Sequence, residues 1–274
     1  MSASWPTIWS TRSTVSTPEG LMTIRVPELG VGPDDVHVWR RALRPSPGQV
    51  SDLSDDELSR ADNFLFADDR ARFVAARQFL REILGRYLDA PPSEVKFSYG
   101  AHGKPALAGD LHLRFNLSHS MDVALIAIAR DVDLGVDVES LSMLVEPESI
   151  AKRSMSEHEY RLLGGMPPEQ RSNAILTTWV RKEAVAKGRG DGLGVHMETI
   201  QTHPGETASA TPVVIDTASE GRWFVWDVPM GAGSAGALAA SRNDLAIQIA
   251  DYNDIDPQRA TASPSPDASA SLTE

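Results

Sequence analysis

The chain has 274 residues, no cysteine and a formal net charge of −12 at pH 7. The missing cysteines exclude a disulfide framework and thiolate metal ligands, and the acidic balance argues against a broad nucleic-acid footprint, which needs clustered Lys and Arg against phosphate. At 41% hydrophobic the chain can bury one large core or two smaller ones, and no apolar run approaches the roughly 20 residues of a membrane span.

Residues 1–33 show little periodicity and read as a loosely packed N-terminal extension, without a signal pattern, so a cytoplasmic setting is expected. "VHVWRRAL" (36–43) alternates like a strand, and Ser54 to Glu57 has capping-box spacing at the start of a helical region. Phe73, Ala76, Leu80, Ile83, Leu84 and Tyr87 recur at three and four residues, an amphipathic helix that Pro91 and Pro92 stop. "VKFSYG" is a short strand, "GKP" (103–105) a turn, and "LHLRFNLSHS" leads into "VALIAIA" (123–129). A turn at Arg130 and Asp131 then suggests an antiparallel hairpin with "VDLGVDV". A helix runs from Pro168 to about Lys187, ended by Gly188 and Gly190, and "TPVVID", "RWFVWDV" and "GALAAS" read as later strands. The Ser-, Ala- and Pro-rich segment 253–274 has too little to bury to be ordered. Two α+β halves are expected, 34–130 and 131–252.

In "DLGVDVE" (133–139), Asp137 and Glu139 share one strand face, their Cα atoms about 6.5 Å apart at ~3.3 Å per residue. Two such charges repel unless a cation intervenes, and Mg2+ suits a few carboxylates with phosphate oxygens. A hairpin with one wet face explains the same pattern. Ile175, Trp179, Glu183 and Lys187, spaced by four, place Glu183 on an apolar helical stripe, where a carboxylate must be paired, protonated or metal-bound. Lys182 points about 100° away from Glu183, toward a different neighbour. Arg60, Arg70, Arg72, Arg77, Arg81 and Arg86 crowd one segment, and Arg181, Lys182, Lys187 and Arg189 another, as a local anion site or as solvated helix faces. Asn116, Ser118 and His119 end a strand next to the acids. A Ser-His hydrolase reading lacks its orienting acid and G-x-S-x-G elbow, so His119 reads as a phosphate donor or a structural hydrogen-bonding group.

In this order the residues resemble the 4′-phosphopantetheinyl transferases of the surfactin-synthetase-activating type. The segments are "RFVAARQFLREIL" (72–84), "GKPAL" (103–107), "FNLSHS" (115–120), "GVDVE" (135–139) and "WVRKEAVAKGRGDGL" (179–193), with the looser "SMSEHEY" (154–160) between the last two. The resemblance spans roughly 36–245 and implies a pseudo-dimeric α+β fold with coenzyme A in the cleft between similar halves. It implies Mg2+-dependent transfer of the phosphopantetheine arm to a serine of an apo carrier protein, with release of adenosine 3′,5′-bisphosphate. Carried over by motif, Asp137, Glu139 and Glu183 hold Mg2+, with Glu183 or a metal-bound water as the base. Lys187 and Lys104 contact coenzyme phosphates, Ser118, His119 and Arg72 sit by the 3′-phosphate, and Arg60, Arg77 and Lys182 are weaker candidates. A monomer is expected, since one chain supplies both halves, with no nucleic-acid or membrane partner.

Val138 stands where a third acid would be, so at most three protein ligands are expected. Ser154 and Met155 replace the aromatic usual before Ser156, altering carrier docking or local packing. Two rivals stay open. A metal-dependent nuclease also uses acids beside a Lys, and a degenerate family member would bind carriers without turnover.

Overall fold

The computed structural model describes residues 23–24, 30–43, 52–109, 112–144, 146–192, 196–208, 211–217 and 221–252. The first half contains β1 (Thr23–Ile24), β2 (Asp35–Ala42), α1 (Asp55–Asp62), α2 (Ala67–Leu88), β3 (Phe97–Tyr99), β4 (Pro105–Leu107), β5 (Leu113–Ser120) and β6 (Val123–Arg130). The second contains β7 (Leu134–Ser140), α3 (Pro147–Ser154), α4 (Glu157–Gly164), α5 (Pro168–Arg189), β8 (Val213–Thr217), β9 (Gly221–Val228), β10 (Ser234–Ala240) and β11 (Ala246–Asp251). No described helix is long and apolar enough to cross a membrane.

One sheet has the order β1-β11-β2-β6-β5 and the other β7-β10-β9-β8. They stack face to face, each with its long helix outside, giving layers α2, sheet, sheet, α5. The alternation along β6 shows why. Ala124, Ile126 and Ile128 pack under α2 with Phe79, Leu80, Ile83 and Leu84. Leu125, Ala127 and Ala129 face the other sheet, against Val136, Val138, Trp226 and Leu238. A strand apolar on both faces belongs in a sheet centre with both faces covered.

This position overturns the hairpin expected between 123–129 and 132–138. One edge of β6 pairs antiparallel with β5 and the other with β2, so no edge is left for β7. Past a left-handed Asp131 (φ 53°), the chain leaves the first sheet, and β7 pairs with β10 instead.

The two halves repeat one plan of strand, 22-residue helix and hairpin. In each, the first strand pairs with the second strand of the hairpin, giving β2-β6-β5 and β7-β10-β9. Ala42 opposes Val123 and Ser140 opposes Ser234, the first residues of β6 and β10, so His37 is the counterpart of Gly135. Aligning the helices from their first residues makes Tyr87 the counterpart of Gly188. His37 Nδ1 lies 2.5 Å from the Tyr87 hydroxyl, and a Cβ on Gly135 would meet Gly188 N at 2.3 Å, so both counterpart pairs touch. The α+β architecture is therefore a pseudo-dimer. Beyond the plan, β11 crosses back to pair in parallel with β2, and Thr23–Ile24 of the expected extension pairs with β11. The segment 253–274, expected to be disordered, lies outside the described residues, as does most of 1–29.

Candidate active site

Two glycines set the distance between α5 and β7. A Cβ on Gly135 would meet Ala184 O at 2.1 Å and Gly188 N at 2.3 Å, and one on Gly188 would meet the Trp223 ring at 2.5 Å. Only hydrogen fits at either position, so the helix backbone lies directly on the strand. Gly135, Asp137 and Glu139 share the face under α5, while Val136 and Val138 enter the core between the sheets. The residues of β10 opposite the three are Ala239, Ala237 and Ala235, small enough to leave room for the acids.

Asp137 is 1% exposed, and its Oδ1 accepts from Ser118 Oγ at 2.8 Å and pairs with the Lys187 ammonium. Lys187 Nζ also donates to Ser118 Oγ at 2.9 Å. Asp137 Oδ2 is buried with no partner, an arrangement that ordinarily costs free energy. Glu139 Oε2 accepts from Ser120 Oγ at 2.6 Å, and burial, then the neighbouring Asp137, holds its carboxyl above the ordinary range. Burial first, then the charges of Asp137 and Glu139, push the Glu183 carboxyl from 4.5 up to about 7. Lys187, four residues on from Glu183, thus pairs with Asp137.

The three carboxylates feel one another without closing on one point, and among the described residues no trio of Asp, Glu or His is arranged to hold an ion. Like charges account for this, since nothing but Lys187 draws them together. The donor set nevertheless fits Mg2+. All three side chains offer hard carboxylate oxygens, Asp137 Oδ2 is buried without a partner, and burial, then like-charged neighbours whose charge a divalent ion would offset, raises Glu139 and Glu183.

Across the cleft, β5 presents Asn116, Ser118 and Ser120 on the face toward β7, each bonding to it: Asn116 Oδ1 to the Val136 N–H, Ser118 to Asp137 and Ser120 to Glu139. The signal was present in "FNLSHS" as three polar residues at alternate positions, and its meaning needed β7 alongside. His119 lies on the opposite face. Burial, then the charges of Lys187 and Arg72, keep its imidazole below its usual value, so a neutral imidazole faces the region of two cations. Arg72 is held there by Asp122 at 3.1 Å and Asp69 at 3.2 Å. A groove of about 470 Å³ beside His119 is lined by Arg60, Asn63, Phe64 and Phe73. A larger cleft of about 690 Å³, lined by His102, Lys104, Arg114, Arg222 and Trp223 among others, lies at the opposite end of β5 and touches none of the three acids.

Other expected residues are engaged elsewhere. Lys104 Nζ donates to Gly188 O at 2.6 Å and Leu134 O at 3.2 Å, which ties α5 to β7, burial lowers its basicity, and its side chain also lines the larger cleft. Arg77 pairs with Glu57 at 2.5 Å, and Arg81 joins the same carboxylate at 2.6 Å, a buried triad tying α1 to α2. The anion that Lys182 reaches is Glu159, at 2.6 Å with both side chains 0% exposed. Glu159 also accepts from Thr202 N–H at 2.7 Å, so this pair fastens α4 and α5 together. Met155 is buried with Ala151, Leu163 and Ile175, which gives the departure before Ser156 a packing role.

A family model described as the 4′-phosphopantetheinyl transferase superfamily matches residues 133–250, and one described as the N-terminal region of 4′-phosphopantetheinyl transferase matches residues 39–131. The 4′-phosphopantetheinyl transferase HetI of Nostoc sp. is 42% identical over 174 residues, which cover 61% of this chain and 73% of that protein. The 4′-phosphopantetheinyl transferase AcpT of Salmonella typhimurium is 32% identical over 177 residues, covering 63% and 86%. The human L-aminoadipate-semialdehyde dehydrogenase-phosphopantetheinyl transferase is 25% identical over 192 residues, covering 64% and 62%. With both halves matched, and relatives of this identity covered over most of their length, this chain belongs to the 4′-phosphopantetheinyl transferase superfamily.

Proposed function

We propose that the chain uses Mg2+ and coenzyme A to modify a serine of an apo carrier protein. The serine oxygen bonds to the phosphorus bearing the pantetheine arm, the anhydride P–O bond breaks, and adenosine 3′,5′-bisphosphate leaves with that electron pair. The carrying observation is the cluster of buried Asp137 with half-buried Glu139 and Glu183, with an orphaned oxygen on Asp137 and the Glu183 carboxyl held at about 7.

In this reading the three acids hold Mg2+, which when bound neutralises charge on the pyrophosphate. Glu183 accepts the serine proton, the part of a general base that a carboxylate beside the reacting oxygen can fill. Lys187, 33% exposed at its side chain and paired with Asp137, can turn its ammonium to the pyrophosphate when Asp137 takes a metal. His119, Arg72 and Ser118 bind the 3′-phosphate, and the Arg60 groove extends that anion site. Lys104, whose ammonium has three donors of which the Gly188 and Leu134 carbonyls take two, borders the larger cleft and stays a candidate for a coenzyme phosphate.

Incubating the protein with coenzyme A, Mg2+ and panels of apo acyl, peptidyl and aryl carriers should add the phosphopantetheine mass to at least one class. Carriers left unmodified across all three panels would refute the proposal, and cleavage of DNA under those conditions would replace it with the nuclease reading.

A further inference from the structure

The acids of β7 lie on an exposed-edge problem that the first half solves with side chains. β5 ends one sheet and β7 begins the other, and their backbones share no ladder. Edge N–H groups that are buried still need acceptors. Val136 N–H finds Asn116 Oδ1 at 2.8 Å, and Val138 N–H finds Ser118 Oγ at 3.4 Å. These two amides flank Asp137. Ser118 is also committed to Asp137 and to Lys187, which leaves its longer bond to Val138 the weaker hold. Asn116, 6% exposed, therefore makes the short bond beside the acid while touching neither the acids nor Lys187.

We infer that Asn116 is a positioning residue for Asp137: it fixes where β7 lies against β5, and so where the acid stands relative to Glu183 and Ser118. This rests on the proposed metal role of the three acids. Its mechanism differs from that of a ligand. Without the Asn116 acceptor, Val136 loses its bond, and β7, still paired with β10 on its other edge, is held less tightly against β5. Asp137 then shifts relative to Glu183 and Ser118, while His119 on β5 and Arg72 on α2 stay in place.

The test reads metal affinity directly, by the electron paramagnetic resonance signal of Mn2+ titrated into the protein without coenzyme. Asn116→Leu, similar in volume but lacking the acceptor, should weaken Mn2+ binding by about tenfold or more, the usual size of a lost outer-shell partner. In the carrier assay it should lower kcat by a similar factor and leave the coenzyme KM within about twofold. Leu117→Ala, the adjacent residue on the opposite face of β5, controls for general loosening. It should lower the unfolding temperature and leave Mn2+ affinity within about threefold. Asn116→Ser reports the same loss should the leucine variant not fold. Wild-type Mn2+ affinity in the Asn116 variants, or equal weakening in Leu117→Ala, would overturn the inference. A wild-type protein that binds no Mn2+ would remove it together with the metal assignment. Carriers left unmodified by a protein that does bind Mn2+ would count against the proposed reaction alone.

Discussion

Glu183 is where a residue's chemistry and its surroundings meet most sharply. Burial, with Asp137 and Glu139 alongside, raises its carboxyl from 4.5 to about 7. The folded chain thus holds this proton more tightly than the unfolded chain does. Its contribution to stability is complete below about 4.5 and is lost as pH rises through about 7. In metal-free buffer, Glu183→Gln should therefore match the wild type near pH 4.5 and become relatively more stable by pH 8, as read by urea unfolding. Mg2+ should narrow that gap by stabilising only the wild type at pH 8. A pH-independent difference would show that Glu183 is not the strained group. In the carrier assay the same variant should lose transfer. The helical spacing made Glu183 legible as a misplaced acid. The spacing left its partner open, because Asp137 is supplied by a strand and Lys187 turned to that acid, 50 residues away in sequence.

At the scale of elements, the contact of α5 with β7 decides whether the acids meet at all. Gly135→Ala places a methyl against Ala184 O and Gly188 N, both helix backbone, which no rotamer can relieve. The helix must lift, at a cost of about 1–3 kcal/mol or more. Turnover should fall along with the unfolding temperature, since Glu183 and Lys187 ride on the same helix. Unchanged kcat in a variant shown to be folded would mean that the close approach is not required. Both α5 and β7 were readable from periodicity, as was the capping of α1, whose Glu57 accepts the Ser54 N–H at 2.9 Å. The pairing of β7 was not. Local sequence offers β6 as the neighbour, while the competition from β2 and β5 for the edges of β6 comes from residues far along the chain.

Over the whole molecule, the repeated plan explains why one chain carries one such site. The counterparts of Asp137 and Glu139 in the first half are Trp39 and Arg41, and the counterpart of Glu183 is Glu82. Arg41 and Glu82 pair at 2.8 Å, and the Arg41 guanidinium stacks 4.8 Å from the Tyr252 ring centroid. The equivalent position is thereby charge-balanced, with Tyr252 over it. Tyr252 follows β11, which pairs with β2 in the first sheet and buries Ile247, Ile249 and Ala250. Ending the chain at Leu245 should lower the unfolding midpoint by at least about 10 °C, given ~1.5–3 kcal/mol per buried large apolar side chain. A truncated chain that melts like the full one would show β11 to be dispensable. The sequence by itself determined the start of α1, the long helices α2 and α5, the alternating strands, the acids and the family motifs, because those depend on periods of two to four residues and on side-chain type, while α3 and α4 went unread. Tertiary structure alone decided that β7 leaves β6 for a second sheet, that Lys182 is paired with Glu159, that Lys104 bonds to the Gly188 and Leu134 carbonyls, and that the Asn116 amide oxygen meets the Val136 N–H. Each of these depends on which distant backbone edge or carboxylate ends up within about 3 Å, a choice made by competition among strands for partners and by the need to pair every buried polar group.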